Sequence, residues 1–214
     1  MNNLTQNYVA NNQKNISQPF TVTVIERTKT KIRASHKTFS SYKSFHKKYL
    51  CKHSYDAFQE TKSAPVSFFQ CNSNLPDMPS VNNPKWSLLS LDLYEPRNTF
   101  KVVDDICNQL TSLNIEFSAY TLHLPIPPKG FLQSPFPEWQ FIVPISPVSC
   151  PQLWLTPTIQ ATANKLIELL GSPKGLLHQE SVVPFPRCNP SQFSSAKTRY
   201  NEGSLFTLSK GGVV

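Results

Sequence analysis

The 214-residue chain contains no uninterrupted apolar stretch near the roughly 18 residues that a membrane-spanning helix needs. Its first fifteen residues, MNNLTQNYVANNQKN, lack the basic start and the apolar segment of a secretory signal. The five cysteines are odd in number, widely spread and without a Cys-x-x-Cys pair, which argues against a disulfide framework or a zinc ribbon. We therefore expect a protein of a reducing, cytoplasmic setting with no membrane partner.

Glycine-based motifs of common nucleotide and hydrolase sites are also missing. There is no Gly-x-Gly-x-x-Gly, no Gly-x4-Gly-Lys-Ser/Thr and no Gly-x-Ser-x-Gly. The sequence thus gives no support to a P-loop nucleoside triphosphatase or to a serine hydrolase. An apolar content of 39% is nevertheless enough for a hydrophobic core, and the length fits one large or two small domains.

Acidic residues are scarce in the first third of the chain, and the formal net charge of +8 arises there. Residues 1–63 contain eleven Lys and Arg but only three acids, whereas residues 64–214 contain ten residues of each sign. A basic surface of this kind attracts a polyanion through the release of condensed counterions. We therefore predict DNA or RNA, single-stranded or template, as the partner. Eight cationic side chains are the candidate contacts: Lys29, Lys31, Arg33, Lys37, Lys43, Lys47, Lys48 and Lys52.

Aromatic residues lie among these lysines at helical spacing after Thr38, a good N-cap residue. They are Phe39, Tyr42, Phe45 and Tyr49. Such rings suit either stacking on bases or the buried face of an amphipathic helix, and the apolar periodicity favours burial. We predict one helix that packs its rings inward and turns its lysines toward solvent.

Hydrophobic periodicity predicts the order of elements along the chain. Residues 1–17 are rich in Asn and Gln and indicate a disordered leader. Alternation of apolar and polar residues predicts early strands at 20–25 and 66–70. From residue 86 the predicted elements are a strand at 86–93, a helix over 102–113, strands at 115–121 and 139–145, a helix that begins at Thr156-Pro157 and stops at Gly171, and a strand near 181–185.

This β-α-β-β-α-β order is typical of the split βαβ arrangement of ferredoxin-like and RRM-like folds, an α+β class. Its two crossover helices would cover one face of a four-stranded sheet, so the other face needs a second layer or a ligand. The basic N-terminal part is the sizeable segment left to provide that layer. We therefore predict one composite domain over residues 18–210, in which a basic αβ part (18–85) is added to a sheet-and-helix part (86–210) whose split βαβ core spans about 86–187.

Asp92 is the most informative carboxylate because it lies at the end of a strand that we expect to be buried. There it must be solvated, paired or bound to a metal ion, unless it only marks the strand end. Two acids two residues apart on a strand could share divalent metal ions, but position 94 is tyrosine and Glu95 points to the opposite face of a regular strand. His123, after the strand at 115–121, is a further candidate for contact with phosphate or metal.

Five prolines between residues 124 and 137 mark a separate segment. The spacing Pro125-x-x-Pro128 fits a polyproline ligand for a partner protein, and a rigid surface loop accounts for the same residues. A protein-interaction module that uses loop 124–137 is therefore an alternative function.

From about residue 20 onward the chain resembles the primase-like domain of the archaeo-eukaryotic primase superfamily, in the form found in plasmid and phage replication proteins. Residues 86–93 are similar to the family's first acidic motif, Tyr-Thr-Leu-His at 120–123 to its Tyr-Thr-Thr-His, and FIVPISPV at 141–148 to its following strand. The Leu-Leu-Gly at 169–171 and the segments 181–188 and 203–205 match its later motifs in order. The resemblance implies a palm built on the split βαβ sheet and a role in DNA replication.

The chain departs from the family at the expected metal ligands. The family's Asp-x-Asp is Asp92-Leu93-Tyr94 here, and Gln140 stands where an arginine is common. Two-metal phosphoryl transfer depends on several carboxylates, so we expect a primase-like protein that binds nucleic acid with weakened or lost nucleotidyl transfer and needs no metal ion.

An active primase or polymerase is the alternative reading of the resemblance. In it Asp92, together with Glu95 or Glu180, would hold magnesium or manganese, and His123 would contact the incoming triphosphate. Related proteins commonly continue into a helicase or DNA-binding part, so a replicative helicase is an expected partner in either case.

Overall fold

The computed structural model describes residues 19–27, 32–55, 67–70, 85–94, 99–122, 138–149, 152–178, 183–188 and 196–207. Its strands are β1 (Phe20–Arg27), β2 (Ile32–Phe39), β3 (Ser54–Tyr55), β4 (Ser67–Gln70), β5 (Lys85–Leu93), β6 (Phe117–Leu122), β7 (Glu138–Ser149), β8 (Leu176–His178), β9 (Val183–Pro184), β10 (Arg187–Cys188) and β11 (Thr198–Asn201). Its helices are α1 (Tyr42–Phe45), which continues as a π-helical segment (His46–Leu50), α2 (Thr99–Ser112) and α3 (Gln152–Leu169). The predicted α+β class is confirmed.

The larger sheet has five antiparallel strands in the order β11-β6-β7-β5-β8. Helix α2 connects β5 to β6, and α3 connects β7 to β8. The central pair β5 and β7 is in register from Leu88 opposite Pro144 to Leu93 opposite Trp139. Because side chains alternate along a strand, Leu89, Leu91 and Leu93 share one face of this sheet, and Asp92 lies on the other.

Helices α2 and α3 cover the face that carries the leucines. The Phe100 ring of α2 meets the Trp139 ring edge-on at 6.4 Å, and Gln160 of α3 is hydrogen-bonded to His178 of β8 at 3.1 Å. Both helices turn an apolar stripe to the sheet, and the buried residues of these stripes are Val103, Ile106, Leu110, Ile159, Ala163 and Leu166. Among the described helices, none is both long and apolar enough to cross a bilayer.

The opposite face is called the polar face here. Strand alternation assigns to it Ser90, Asp92, Ser118, Tyr120, Gln140, Leu177 and Tyr200. Polar side chains on a face that is largely covered require hydrogen-bond partners, and the N-terminal part of the chain provides several of them.

Residues 42–50, the basic helix, pack on the polar face. The Tyr42 hydroxyl donates to the Ile142 carbonyl at 2.9 Å, and its oxygen lies 2.7 Å from Ser118 Oγ. The His46 ring stacks on Tyr200 with the ring centres 4.4 Å apart. The buried side chains of the N-terminal part and of the five-stranded sheet accordingly belong to one hydrophobic cluster.

The second sheet has four strands in the order β2-β1-β4-β9, and β3 pairs with β10 in a short parallel ladder. Val22 and Val24 of β1 are fully buried. Strand β9 approaches the polar face directly, since the Tyr120 hydroxyl donates to the Pro184 carbonyl at 2.8 Å. This sheet therefore covers another part of the polar face.

The basic helix begins later than its sequence predicts. Thr38 and Phe39 end β2, where Thr38 lies opposite Thr21 of β1. Ser41 is the N-cap residue, because its hydroxyl accepts from the Ser44 backbone and the Ser44 hydroxyl accepts from the Ser41 backbone. Thr38 as the N-cap is thus wrong, since strand pairing outweighed its capping preference. The predicted burial of the rings is confirmed: Phe39, Tyr42 and Phe45 are buried, and Tyr49 packs against the core.

The strand that closes the β-α-β-β-α-β order is not the predicted one. It is β8, which follows a tight turn with left-handed Gly171 (φ 73°) and Gly175 (φ 81°) and pairs with β5. The predicted strand near 181–185 is instead β9, which pairs with β4 in the four-stranded sheet. The turn after α3 is short, so the chain already pairs with the free edge of β5 at residues 176–178. The predicted residues 181–185 come after this pairing.

Helix α3 also begins earlier than predicted. It starts at Gln152 and carries Pro157 inside it, so the predicted start at Thr156-Pro157 is wrong. Pro157 lies in the second turn, where it removes one intrahelical hydrogen bond and crowds the carbonyl four residues before it, yet the helix extends five residues in front of it. The predicted end is confirmed, because Gly171 follows the last turn with a positive φ.

Candidate functional site

Asp92 lies near the end of β5 on the polar face and is 8% exposed. Directly opposite on β7, the Gln140 amide donates to Oδ1 of Asp92, and it also donates to Ser90 Oγ at 2.6 Å. The Tyr94 hydroxyl donates to Oδ2 at 3.0 Å. Burial raises the pKa of Asp92, and the two donors act against that rise. Two neutral side chains therefore hold the carboxylate, each at one of its oxygens.

Glu138 adds a second carboxylate to this site. It lies two residues before Gln140 on β7, so it shares the polar face and is diagonal to Asp92 across the strand pair. Burial raises the pKa of Glu138, and the negative charge of Asp92 raises it further. The sequence reasoning missed Glu138. The available signal was the Glu-Trp-Gln alternation at the start of a strand that is otherwise apolar.

The described residues do not by themselves form a two-metal site. Among them, no group of three or more His, Cys, Asp or Glu could hold a metal ion. Both Asp92 oxygens accept hydrogen bonds from neutral donors, and a metal ion would have to displace these donors or share the oxygens with them. The other predicted metal ligands, Glu95 and Glu180, and the predicted phosphate contact His123 lie outside the described residues.

A buried polar network attaches the basic helix to the sheet. His46 Nδ1 is 2.9 Å from Ser118 Oγ, which is also hydrogen-bonded to the Tyr42 hydroxyl. Tyr200, stacked on His46, donates to Oε1 of Glu116 at 2.6 Å. Burial lowers the pKa of His46 and raises the pKa of Glu116. The network sets the position of the helix and therefore of its lysines.

Three lysines lie in or next to the π-helical segment at the end of the basic helix. The Cys51 backbone N–H donates to the His46 carbonyl at 2.9 Å, five residues back, which is the hydrogen bond of a π-helix. Lys47 and Lys48 belong to this segment, and Lys52 follows its C-cap residue Cys51. All three side chains are exposed.

The remaining predicted cationic contacts fall into three groups. Arg33 is exposed on the edge strand β2, and Lys37 on the same strand is partly exposed. Lys43 is ion-paired with Glu202 at 2.6 Å, which offsets its charge locally. Lys29 and Lys31 lie outside the described residues.

Comparisons with known proteins identify no relative: no protein-family model, no curated protein and no solved structure matches the chain. We therefore base the function on the geometry of the polar face and on the sequence motifs.

Proposed function

We propose that this protein binds nucleic acid through the basic helix and the polar face of its five-stranded sheet, as a primase-like replication protein with weakened or lost nucleotidyl transfer. One observation carries the proposal. The helix that bears Lys47 and Lys48 packs on the same face of the sheet that carries Asp92, through Tyr42 and His46. A polyanion drawn to these lysines therefore approaches the side of the sheet on which the basic helix packs, and not the layer of α2 and α3.

The strand order supports the primase-like part of the proposal. Strands β6, β7, β5 and β8 are neighbours in that order, with α2 and α3 as the two crossovers on one face. This arrangement supports the proposed split βαβ palm, which is built on a β-α-β-β-α-β order. Fold likeness alone does not imply an activity, so the proposal also depends on the lysines and the carboxylates of the polar face.

The lysines are tested by neutralising Lys47, Lys48 and Lys52 together with glutamine. We expect weaker binding to a single-stranded oligonucleotide, because each lysine that contacts a phosphate releases a counterion. The slope of log affinity against log salt should fall by about 2, from roughly 0.7 per phosphate contact on a single strand. Fluorescence anisotropy over a range of salt concentrations measures both quantities.

The matched control neutralises two exposed lysines of the helix layer, Lys101 on α2 and Lys165 on α3, and is compared with the Lys47 and Lys48 pair neutralised alone. It removes the same charge as that pair and should change the salt slope little. Equal losses in both double variants would mean that only net charge matters, and this would contradict the proposed surface. The same assay after deletion of loop 124–137 tests the protein-interaction alternative, since binding should survive the deletion.

Active nucleotidyl transfer is the second candidate, and the Asp92 and Glu138 carboxylates on one face favour it. We expect little template-directed incorporation of labelled nucleotides with magnesium or manganese, because neutral donors already occupy Asp92. Asp92→Asn is the decisive variant, since it keeps the size of the side chain and removes its charge. Robust incorporation by the wild type that disappears in Asp92→Asn would replace our proposal with an active polymerase.

A further inference from the structure

Two exposed side chains lie beside the buried Asp92. Leu177 of β8 is directly opposite Asp92 and is 58% exposed, and Tyr94 is 47% exposed. Tyr94 follows Asp92 by two residues, and its backbone N–H donates to the Gly175 carbonyl at 3.0 Å. It therefore continues the ladder with β8 and shares the polar face with Leu177. Such a diagonal pair lies within reach of an aromatic side chain, so the two form an apolar shelf next to the carboxylate.

The tyrosine ring is held in place while much of it stays open to solvent. Its hydroxyl donates to Asp92 Oδ2, which restrains the ring beside Asp92 on the polar face. An exposed but restrained aromatic side chain loses little rotational freedom when a flat partner stacks on it. Sheet surfaces that bind single strands use aromatic side chains in this way.

The charges near the shelf indicate which part of a nucleic acid fits there. Asp92 and Glu138 lie on the same face, and negative charge there repels a phosphate. The exposed lysines Lys47 and Lys48 belong instead to the basic helix, and Lys52 follows it by two residues. This helix contacts β6 and β11 of the same sheet. Phosphates are therefore favoured at the helix, and an uncharged base is favoured at the shelf.

We propose that Tyr94 and Leu177 form a stacking site for a base of single-stranded nucleic acid whose phosphates contact the basic helix. This inference rests on the proposed function and adds the binding mode, because stacking on the shelf requires an unpaired base. Duplex nucleic acid keeps its bases within its own stack and cannot use the shelf.

The experiment compares two single-stranded DNA probes of about twelve nucleotides, one normal and one abasic at every position, so that the phosphates are the same. The wild type should bind the normal probe more tightly. Tyr94→Ala should lower affinity for the normal probe roughly 5- to 150-fold, the equivalent of about 1 to 3 kcal/mol per stacked base, and leave the abasic probe unchanged. Tyr94→Phe keeps the ring but loses the hydroxyl bond that restrains it, so it should lose clearly less affinity than Tyr94→Ala.

Phe100→Ala is the matched control, since Phe100 is 49% exposed on the helix layer. It should leave both probes unaffected. Leu177→Ala tests the same shelf if Tyr94→Ala proves unstable, and it should also weaken binding of the normal probe alone.

Three results would overturn the inference. They are equal binding of both probes by the wild type, Tyr94→Ala binding that matches the wild type, and a loss in Tyr94→Phe as large as in Tyr94→Ala. In each of these the proposed function stands, provided that the neutralised lysines still weaken binding. If the wild type binds neither probe, the proposed function itself fails.

Discussion

At the scale of single residues, cross-strand neighbours decide what each buried polar group can do. Asp92 faces Gln140, an amide that donates to the carboxylate without neutralising it. An arginine at this position would form a charge-assisted pair and favour the ionised carboxylate more strongly. The present pair leaves Asp92 with a raised pKa and no cation among its hydrogen-bond partners that the structure describes.

Asp92 was recognisable in the sequence, but its partners were not. A carboxylate at the end of an otherwise mostly apolar strand can be identified from the sequence pattern alone. Gln140 and Glu138 become its neighbours only through the register of β5 on β7, which depends on the whole strand pair. A shift of one residue would move both side chains to the helix-covered face.

His46 gives the folded state a testable dependence on pH. Burial lowers its pKa below the ordinary 6.5, and the groups around it are Ser118, Tyr42 and Tyr200 with Glu116 behind it. Below pH 6.5 the unfolded chain takes up this proton before the folded protein does, so the free energy of unfolding decreases as pH falls. Chemical denaturation of the wild type and of His46→Gln at about pH 7.5 and 5.5 should show a smaller decrease in the variant.

Other buried groups also contribute to this dependence. His53, whose pKa is likewise lowered by burial, acts in the same direction. The raised pKa values of Asp92, Glu116 and Glu138 act in the opposite direction, because they favour the folded state at low pH. The comparison of variant with wild type removes these common contributions. Parallel pH curves for the two proteins would contradict the burial of a neutral His46.

At the scale of elements, Gly203 joins the C-terminal segment to the sheet. Ser204 donates its backbone N–H to the Asn114 carbonyl at 2.7 Å, and Glu116 donates to the Ser204 carbonyl at 2.9 Å. A Cβ on Gly203 would lie 2.7 Å from backbone atoms of Asn114, Ile115 and Glu116. The backbone cannot yield as a flexible side chain does, so glycine is required by space.

We expect Gly203→Ala to destabilise the protein by about 1 to 3 kcal/mol, the usual cost of overpacking. The free energy of unfolding from denaturant titration measures the change. Gly171→Asn is the control, because Gly171 has open space around a Cβ and a φ of +73° that asparagine tolerates. If the two variants are equally stable, Gly203 does not lie as close to the backbone of residues 114–116 as these distances indicate.

Elements with a regular pattern of apolar residues could be predicted from the sequence, and strands at the edges of the sheets could not. Strands β5 and β7 and helix α2 bury whole stripes of apolar residues, and the sequence indicated all three. Strand β2 was missed because it is an edge strand whose central residues are polar or basic and mostly exposed. Charge on an edge strand limits pairing with other chains, but it also removes the alternation that marks a strand. Strand β8 is only three residues long and is defined by its partner β5.

At the scale of the whole molecule, the two sides of the five-stranded sheet differ in the charged side chains that they carry. The helix layer contains the ion pair of Arg199 with Asp104 at 2.5 Å. The polar face bears the carboxylates of Asp92 and Glu138, and the basic helix packs on it with three exposed lysines near its end. The even distribution of charge after residue 63 left this asymmetry hidden in the sequence. It arises because Tyr42 and His46 dock the basic helix on the face opposite α2 and α3.

The most direct test of the proposed binding surface measures which lysines of the wild-type protein are protected from acetylation by bound nucleic acid. The free protein and its complex with a single-stranded oligonucleotide are acetylated briefly, and the modified lysines are quantified by mass spectrometry. We predict that bound nucleic acid slows the acetylation of Lys47, Lys48 and Lys52 and leaves Lys101 and Lys165 as reactive as before. Protection of the second set, or equal protection of both, would contradict binding at the polar face.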